Sequence, residues 1–387
     1  MAKNNKDTKV ERGDGSFRVT PAGNLEYRIS YKDENGVSRR KSFTGVDETE
    51  CLQKAQSFRR RLALINKGLD VNATMITILE ARYKKDLSMG FTGEQGYCRN
   101  MGNVKVLKKS EIAKIPIRDV TKRDVTKYLE SLSRYSASMV KHFYRQVKLA
   151  FYIAEEEGLI EDNFMTSRDM KCPKIGKPVK KVSALSPEDQ KKLVDKMTTK
   201  TPPYGRNDYR LQLFIELYSG MRMGEINALH PEDIDLDNNV VHVRGTISRG
   251  LDYREFVKES PKTEAGIRDV PISSKLRPYL EEALGRMKDN SENLVFYDYN
   301  KNSVISTTQV NCYYQRICRD AGIPADGQHS LRHTFATRCI ESGIPPVVLK
   351  NWLGHTDIHI TLDTYTDVFK AMDNDAVSTF DQYIDKM

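Results

Sequence analysis

The chain is predicted to be a multidomain α+β protein, and three observations predict it. Residues 1–70 hold three short alternating runs and one long helical stretch, residues 71–165 are helical in pattern, and residues 183–366 mix helices with a few short strands. At 387 residues, two or three domains with separate cores are expected. The predicted parts are a small three-stranded sheet with one helix, an all-α block, a lysine-rich linker over 166–182, a mainly α block with a small antiparallel sheet, and a C-terminal tail helix over 367–387.

The first twelve residues are polar, with little to bury. Phe17 to Val19, Tyr27 to Tyr31 and Val37 to Phe43 then read as strands; the middle one alternates apolar and polar residues, and Asn35-Gly36 signals a hairpin before the third. Glu48 to Asn66 reads as a helix ending at Gly68, so the block is β-β-β-α. In the second block, Asp124 to Leu132 and Ala137 to Glu157 read as helices. The latter places Val140, Phe143, Tyr144, Val147, Phe151 and Ile153 at helical spacing, leaving Lys141, His142, Arg145 and Lys148 on the other faces. Over Phe91 to Lys109 the glycines at 90, 93, 96 and 102 interrupt the pattern, and helices there are poorly placed.

Thr166 to Val182 contains Pro173, Pro178 and five lysines, and reads as a spacer. Ser186-Pro187-Glu188-Asp189 then starts a helix, Leu211 to Tyr218 is a buried helix, and Glu225 to Leu229 continues helical after Arg222. Val240 to Thr246 and Val270 to Ile272 read as strands, with Tyr253 to Arg268 as an extended hairpin carrying Lys262. Helices return from Thr307. After Tyr365, Val368, Phe369, Met372, Val377, Phe380 and Ile384 make a narrow apolar face that has to dock on something, in cis or on a second copy.

The net charge of +9 is uneven: residues 1–70 carry +5, residues 71–182 carry +9 and residues 183–387 carry −5. The positive excess therefore lies in the first 182 residues, where phosphate-backbone binding is the natural inference. Six cysteines lack C-x-x-C spacing, and no apolar run suits a signal peptide or a membrane span, so a cytoplasmic protein with reduced thiols and no membrane partner is expected.

Six residues suggest chemistry: Arg222 in Ser219-Gly220-Met221-Arg222-Met223-Gly224-Glu225, Lys262 in Pro261-Lys262-Thr263, His329 and Arg332 in His329-Ser330-Leu331-Arg332-His333-Thr334, His355 in Leu353-Gly354-His355, and Tyr365 ten residues further on. A phosphodiester under attack gathers negative charge on its non-bridging oxygens, which two planar guanidiniums hold better than lysines. Arg222 and Arg332 are the candidates. Phosphoryl transfer asks mainly for positioning and charge, so fixed cations can stand in for metals, and no metal or cofactor is expected. A phenol is a weak nucleophile while protonated, so a base such as His329 has to take its proton. His329 and Arg332 share a helical face, whereas His333 falls on another side and reads as a packing histidine. Glu225 reads as a buttress for Arg222; Lys258 rivals Lys262, and Tyr383 is the rival of Tyr365.

These motifs resemble the tyrosine recombinase family, the integrases of phages and conjugative elements, over most of the C-terminal half. The resemblance implies that Tyr365 is the nucleophile, that Lys262 protonates the leaving 5′ hydroxyl and that His355 is a phosphate ligand. It also implies an arm-type DNA-binding domain at 1–70 with Arg28, Arg39, Arg40 and Lys41 facing the duplex, a core-site DNA-binding domain at 71–165 with Lys141, Arg145 and Lys148 available to phosphates, and a catalytic domain at 183–366. The expected partners are double-stranded DNA, a homo-tetramer on that DNA, and a directionality factor or DNA-bending host protein. A type IB topoisomerase and a DNA-binding regulator with a decayed site are the other classes. The arm-like block and tail speak against the first, and the complete residue set against the second.

Overall fold

A computed structural model describes residues 15–20, 24–33, 36–66, 70–178, 183–199, 207–259, 266–365 and 384–385. The chain divides into two compact units, Met1–Val179 and Lys180–Met387.

In the first unit, β1 (Ser16–Val19), β2 (Leu25–Lys32) and β3 (Ser38–Gly45) form an antiparallel sheet in that order. Side chains alternate between the faces of a strand. Tyr27 and Ile29 therefore meet α1 (Glu48–Asn66), where they are buried with Cys51 and Ala55. The same alternation divides the four cations expected to face one duplex. Arg28 lies opposite Ser42 and Arg40 opposite Ser30, away from α1. Lys41 lies opposite Ile29 and Arg39 opposite Tyr31, on the helix side. There Lys41 Nζ sits 4.2 Å from the centre of the Phe58 ring, and Arg39 binds Asp33 at 2.5 Å. One face cannot present all four, and that expectation is corrected.

Four helices follow: α2 (Met75–Ser88), α3 (Glu94–Leu107), α4 (Lys122–Glu130) and α5 (Ala137–Glu156). Thr74 with Thr77, and Thr121 with Asp124, make reciprocal capping boxes at the starts of α2 and α4; Ser136 caps α5. Of the glycines expected to break this stretch, Gly90 and Gly93 do lie in the break between α2 and α3, but α3 runs through Gly96 and Gly102. Each costs a helix about 1 kcal/mol, which burial of Val104 and Leu107 in the core offsets. Along α5, Val140, Phe143, Val147 and Phe151 face inward, while Lys141, Arg145 and Lys148 form one exposed stripe.

Residues 166–178, expected as a free spacer, are fastened to this unit. The amide of Lys177 donates to the Tyr135 carbonyl at 2.8 Å, that of Ala137 to the Lys177 carbonyl at 2.9 Å, and the Tyr144 hydroxyl to the Met170 carbonyl at 2.6 Å.

The second unit contains α6 (Pro187–Met197), α7 (Arg210–Ser219), the single turn α8 (Met223–Ile226), β4 (Ile234–Asp235), β5 (Val240–Val243), β6 (Thr246–Arg249), β7 (Glu255–Lys258) and β8 (Arg268–Pro271). α9 (Arg277–Arg286), β9 (Tyr297–Asp298), β10 (Ser303–Val304), α10 (Thr307–Ala321), α11 (His329–Glu341), α12 (Pro346–Leu353) and α13 (Ile358–Thr364) complete it. Its core joins Leu213, Ile215 and Leu217 of α7 to Leu280, Tyr314, Ile317 and Leu331. The expected long hairpin is instead two structures: β6 pairs with β7, while β8 joins the sheet β4-β5-β8. Lys262, in the β7–β8 connection, lies outside the described residues, as do the linker residues 179–182 and nearly all of the expected tail helix. No helix among the described residues is long and apolar enough to cross a membrane.

Candidate active site

Helix α7 ends on Gly220 at φ 66°, where an added Cβ would stand 2.4 Å from Cδ1 of Phe335; the turn needs glycine on both counts. It delivers the chain to Arg222 at the start of α8. One helical turn is too short to make an anion-favouring helix end there, and a carboxylate fixes Arg222 instead. Its Nη1 donates to Glu225 Oε1 at 2.8 Å, and its backbone amide donates to Oε2 at 2.8 Å. Glu225 receives a second fork from Arg268 of β8, Nη2 to Oε2 at 2.7 Å and Nη1 to Oε1 at 3.1 Å. Burial pushes this carboxyl up, but the hydrogen bonds and charge of Arg268, with the charge of Arg222, outweigh it and leave it at about 2.

The C-terminus of α12 organises three arginines. A helix end leaves its last carbonyls without intrahelical donors and carries partial negative charge. Here the amides of Gly354 and His355 take the carbonyls of Asn351 and Lys350. The next three carbonyls each accept from a different guanidinium: Trp352 from Arg268 Nε at 2.6 Å, Leu353 from Arg332 Nη2 at 2.7 Å, and Gly354 from Arg222 Nη2 at 3.4 Å. Gly354, at φ 65°, makes the turn that exposes them. Arg332 also donates from Nη1 to the Gly220 carbonyl at 2.6 Å. Burial, then the charge of Arg222, lowers its guanidinium to about 9, so it stays charged at neutral pH. The Arg332 residue is 3% exposed and the Arg268 side chain 6%, whereas the Arg222 side chain is 42% exposed and open to a ligand.

Three histidines surround this cluster. His355 faces Arg332 Nη2 through Nε2 at 3.1 Å and Thr361 Oγ1 through Nδ1 at 2.8 Å. Arginine can only donate, so this His355 is the neutral tautomer with its proton on Nδ1. Burial first, then Arg332 and Arg222, push it down to about 4. His329, at the exposed start of α11, is lowered by burial of part of its ring and by the charges of Arg332, His333 and Arg222. His333, one turn further, stands edge-on to His329 with the ring centres 5.1 Å apart. Its Nδ1 lies 3.1 Å from the hydroxyl of Tyr365.

Tyr365 follows α13 and is 4% exposed, packed with Ala336, Cys339, Ile340, Leu349 and Leu353. Burial pushes its phenol up to about 12, although the charge of Arg332 acts against that. Arg222, Glu225, Arg332 and His355 are thus joined by hydrogen bonds, and Tyr365 is tied to α11, but through His333 rather than the expected His329. Two site residues were not anticipated. Arg268 comes from a strand, outside any local motif; the signal was Glu225, a buried carboxylate that one exposed arginine leaves half satisfied. Helical spacing gives His333 a packing role because it does not share the face of His329 and Arg332, and that same phase is the reason it can reach the tyrosine. Among the described residues, no cluster of three or more His, Cys, Asp or Glu side chains is placed to hold a metal ion.

Residues 183–372 match the family model described as the phage integrase family. The chain belongs to this family of tyrosine recombinases. A tyrosine recombinase XerC-like protein of Caldanaerobacter subterraneus subsp. tengcongensis is 27% identical over 92% of this chain and 96% of its own length. The transposase from transposon Tn916 of Enterococcus faecalis is 24% identical over 82% of this chain and 80% of its own. Among solved structures, the Tn1549 transposon integrase in complex with circular intermediate DNA superposes with a TM-score of 0.64 at 20% identity, covering 76% of this chain and 95% of that one. A lambda integrase tetramer bound to a Holliday junction gives 0.56 at 16% identity over 90% and 97%. These structural likenesses establish the integrase fold.

Proposed function

We propose that this integrase is a site-specific DNA recombinase that integrates and excises a mobile element by cutting and rejoining strands at Tyr365. Arg222 and Arg332 hold the non-bridging oxygens of the scissile phosphate, and Arg268 with Glu225 keeps Arg222 oriented. His355 braces Arg332, and Lys262 protonates the leaving 5′ oxygen. The product is a 3′-phosphotyrosine bond that conserves the energy of the diester, so rejoining requires no nucleotide hydrolysis. The observation that carries this reading is helix α11, which brings Arg332, with its guanidinium held by two carbonyls, and the hydrogen-bond partner of the Tyr365 hydroxyl to one place.

On this reading, Lys141, Arg145 and Lys148 contact the phosphates of the crossover site, and the open face of the N-terminal sheet, with Arg28 and Arg40, contacts arm DNA. Strand exchange proceeds in a homo-tetramer through a Holliday junction, assisted by a directionality factor or a DNA-bending host protein. A nicked suicide substrate should attach to the wild type through its 3′ phosphate, and Tyr365→Phe should bind the same DNA without attachment. Attachment at Tyr383, or relaxation of supercoiled DNA without recombination between paired sites, would overturn the reading.

A further inference from the structure

The hydroxyl of Tyr365 has one side-chain partner among the described residues, His333, and the geometry gives that contact a direction. The phenol is buried among apolar side chains and stays protonated. His333 is half-buried, and burial followed by the charge of Arg332 holds it below the ordinary histidine value. At neutral pH the pair is therefore a neutral phenol donating to a neutral imidazole, with the proton of His333 on Nε2 and the lone pair of Nδ1 aimed at the hydroxyl 3.1 Å away. A base has to bring its acceptor atom within about 2.6–3.2 Å of the oxygen whose proton it takes. His333 meets that condition; His329 is its edge-on neighbour.

We propose that His333, through Nδ1, is the base that takes the Tyr365 proton during strand cleavage and returns it during rejoining. The inference rests on Tyr365 being the nucleophile. In cleavage the Tyr365 oxygen forms a bond to phosphorus, the bond from phosphorus to the 5′ oxygen breaks, the phenol proton passes to Nδ1, and Lys262 gives a proton to the 5′ oxygen. Rejoining reverses each transfer, so no oxidant, nucleotide or further acid enters. Adjacent positions on α11 thereby divide the work: Arg332 addresses the phosphate and His333 the attacking oxygen. His329, more exposed, is left to the phosphate side of the site.

The test uses the full chain and a nicked suicide substrate in single-turnover conditions. His333→Asn keeps an acceptor close to the position of Nδ1 but cannot accept a proton. Its covalent trapping should slow by about 10² to 10⁴ with DNA affinity unchanged, the usual contribution of a positioned base. Incorporating 3-fluorotyrosine or 2,3-difluorotyrosine at position 365 makes the phenol more acidic and should narrow that defect at least about tenfold, since a better acid leans less on its base. His329→Asn should show no such narrowing. A narrowing that occurs also identifies a folded variant with a chemical defect. Cleavage by His333→Asn at the wild-type rate or faster would mean that the contact only stores the phenol, and the proposal fails. It fails equally if fluorination rescues His329→Asn and not His333→Asn. Attachment that survives Tyr365→Phe would instead overturn the assignment of the nucleophile, a separate result.

Discussion

Arg222, Arg268 and Arg332 sit on three successive carbonyls at the end of α12, two of them buried, with Glu225 between Arg222 and Arg268. Arg28 and Arg40 stand on an open sheet face opposite serines, where Arg28 donates from Nε to Ser42 Oγ at 3.1 Å. Both groups are positive, and the difference between them lies in what holds the charge. Buried guanidiniums repel one another in a medium of low dielectric, so they persist only with dedicated acceptors, and once fixed they need no reorganisation when a phosphate gains charge. Exposed cations on a sheet are screened and move with their solvent shell. They add affinity that depends on salt, and little geometry.

The largest test of that contrast removes an acceptor's partner. Arg268→Gln leaves the Glu225 carboxylate buried with only the more exposed Arg222, and breaking one side of a buried pair costs about 3–5 kcal/mol. The urea midpoint of the catalytic unit should fall accordingly; a loss under about 1 kcal/mol, the level of a surface pair, would erase the distinction. The acid limb of stability carries the same information. Glu225 is held below its ordinary 4.5 at about 2, so its contribution is fully present above 4.5 and is lost as pH falls through 2. That difference corresponds to about 3 kcal/mol, and Glu225→Gln should flatten this part of the pH profile.

Next in size is the fork itself. Arg222→Lys keeps the charge but loses the planar pair of donors that divides between Glu225 and a ligand. Single-turnover cleavage should fall by about 10² to 10³ while DNA affinity changes little. Normal cleavage of bound DNA with a large loss of affinity would place Arg222 with the screened cations.

The contrast also explains what could be read from the sequence. Arg222, His329, Arg332, His355 and Tyr365 stand in short local patterns, and helical spacing or a Gly-terminated helix makes such patterns visible. Arg268 is 43 residues from its carboxylate partner and 84 from its carbonyl, a pairing set by the register of β8 against β5. No periodicity along the chain announces it. His333 was legible as a residue but not as a partner, because helical phase separates it from Arg332 while the position of Tyr365 depends on where α13 ends. The β-β-β-α order was legible from alternation, yet the same alternation, applied to Arg39, Arg40 and Lys41 in turn, already excluded one shared face. Gly96 and Gly102 misled in the opposite sense, since local propensity yielded to burial.

A smaller effect is expected from the α5 stripe. If Lys141, Arg145 and Lys148 each neutralise one phosphate, replacing any one by Ala should lower the slope of log affinity against log salt by about 0.9, with cleavage of saturated DNA unaffected. An unchanged slope for all three would show the stripe to be a solvated face.

The smallest effect separates the two faces of the N-terminal sheet. Arg28→Ala and Arg40→Ala remove cations from the face away from α1, so each should lower affinity for DNA distant from the crossover and reduce the salt slope by about 0.9 on a full attachment site. Arg39→Ala and Lys41→Ala act on the face that packs against α1. Lys41→Ala loses its contact with the Phe58 ring, a loss of about 0.5–1 kcal/mol in the stability of this small domain, without changing the slope. A chain lacking residues 1–70 supplies the reference: it should form covalent complexes on a short core site as the full chain does, yet lose the distant footprint. Equal slopes for all four single variants would mean that the sheet does not lay one face against DNA. A distant footprint that survives deletion of residues 1–70 would move arm recognition out of this domain altogether, leaving the sheet, α1 and their aromatic contacts as a packing module whose positive charge is incidental.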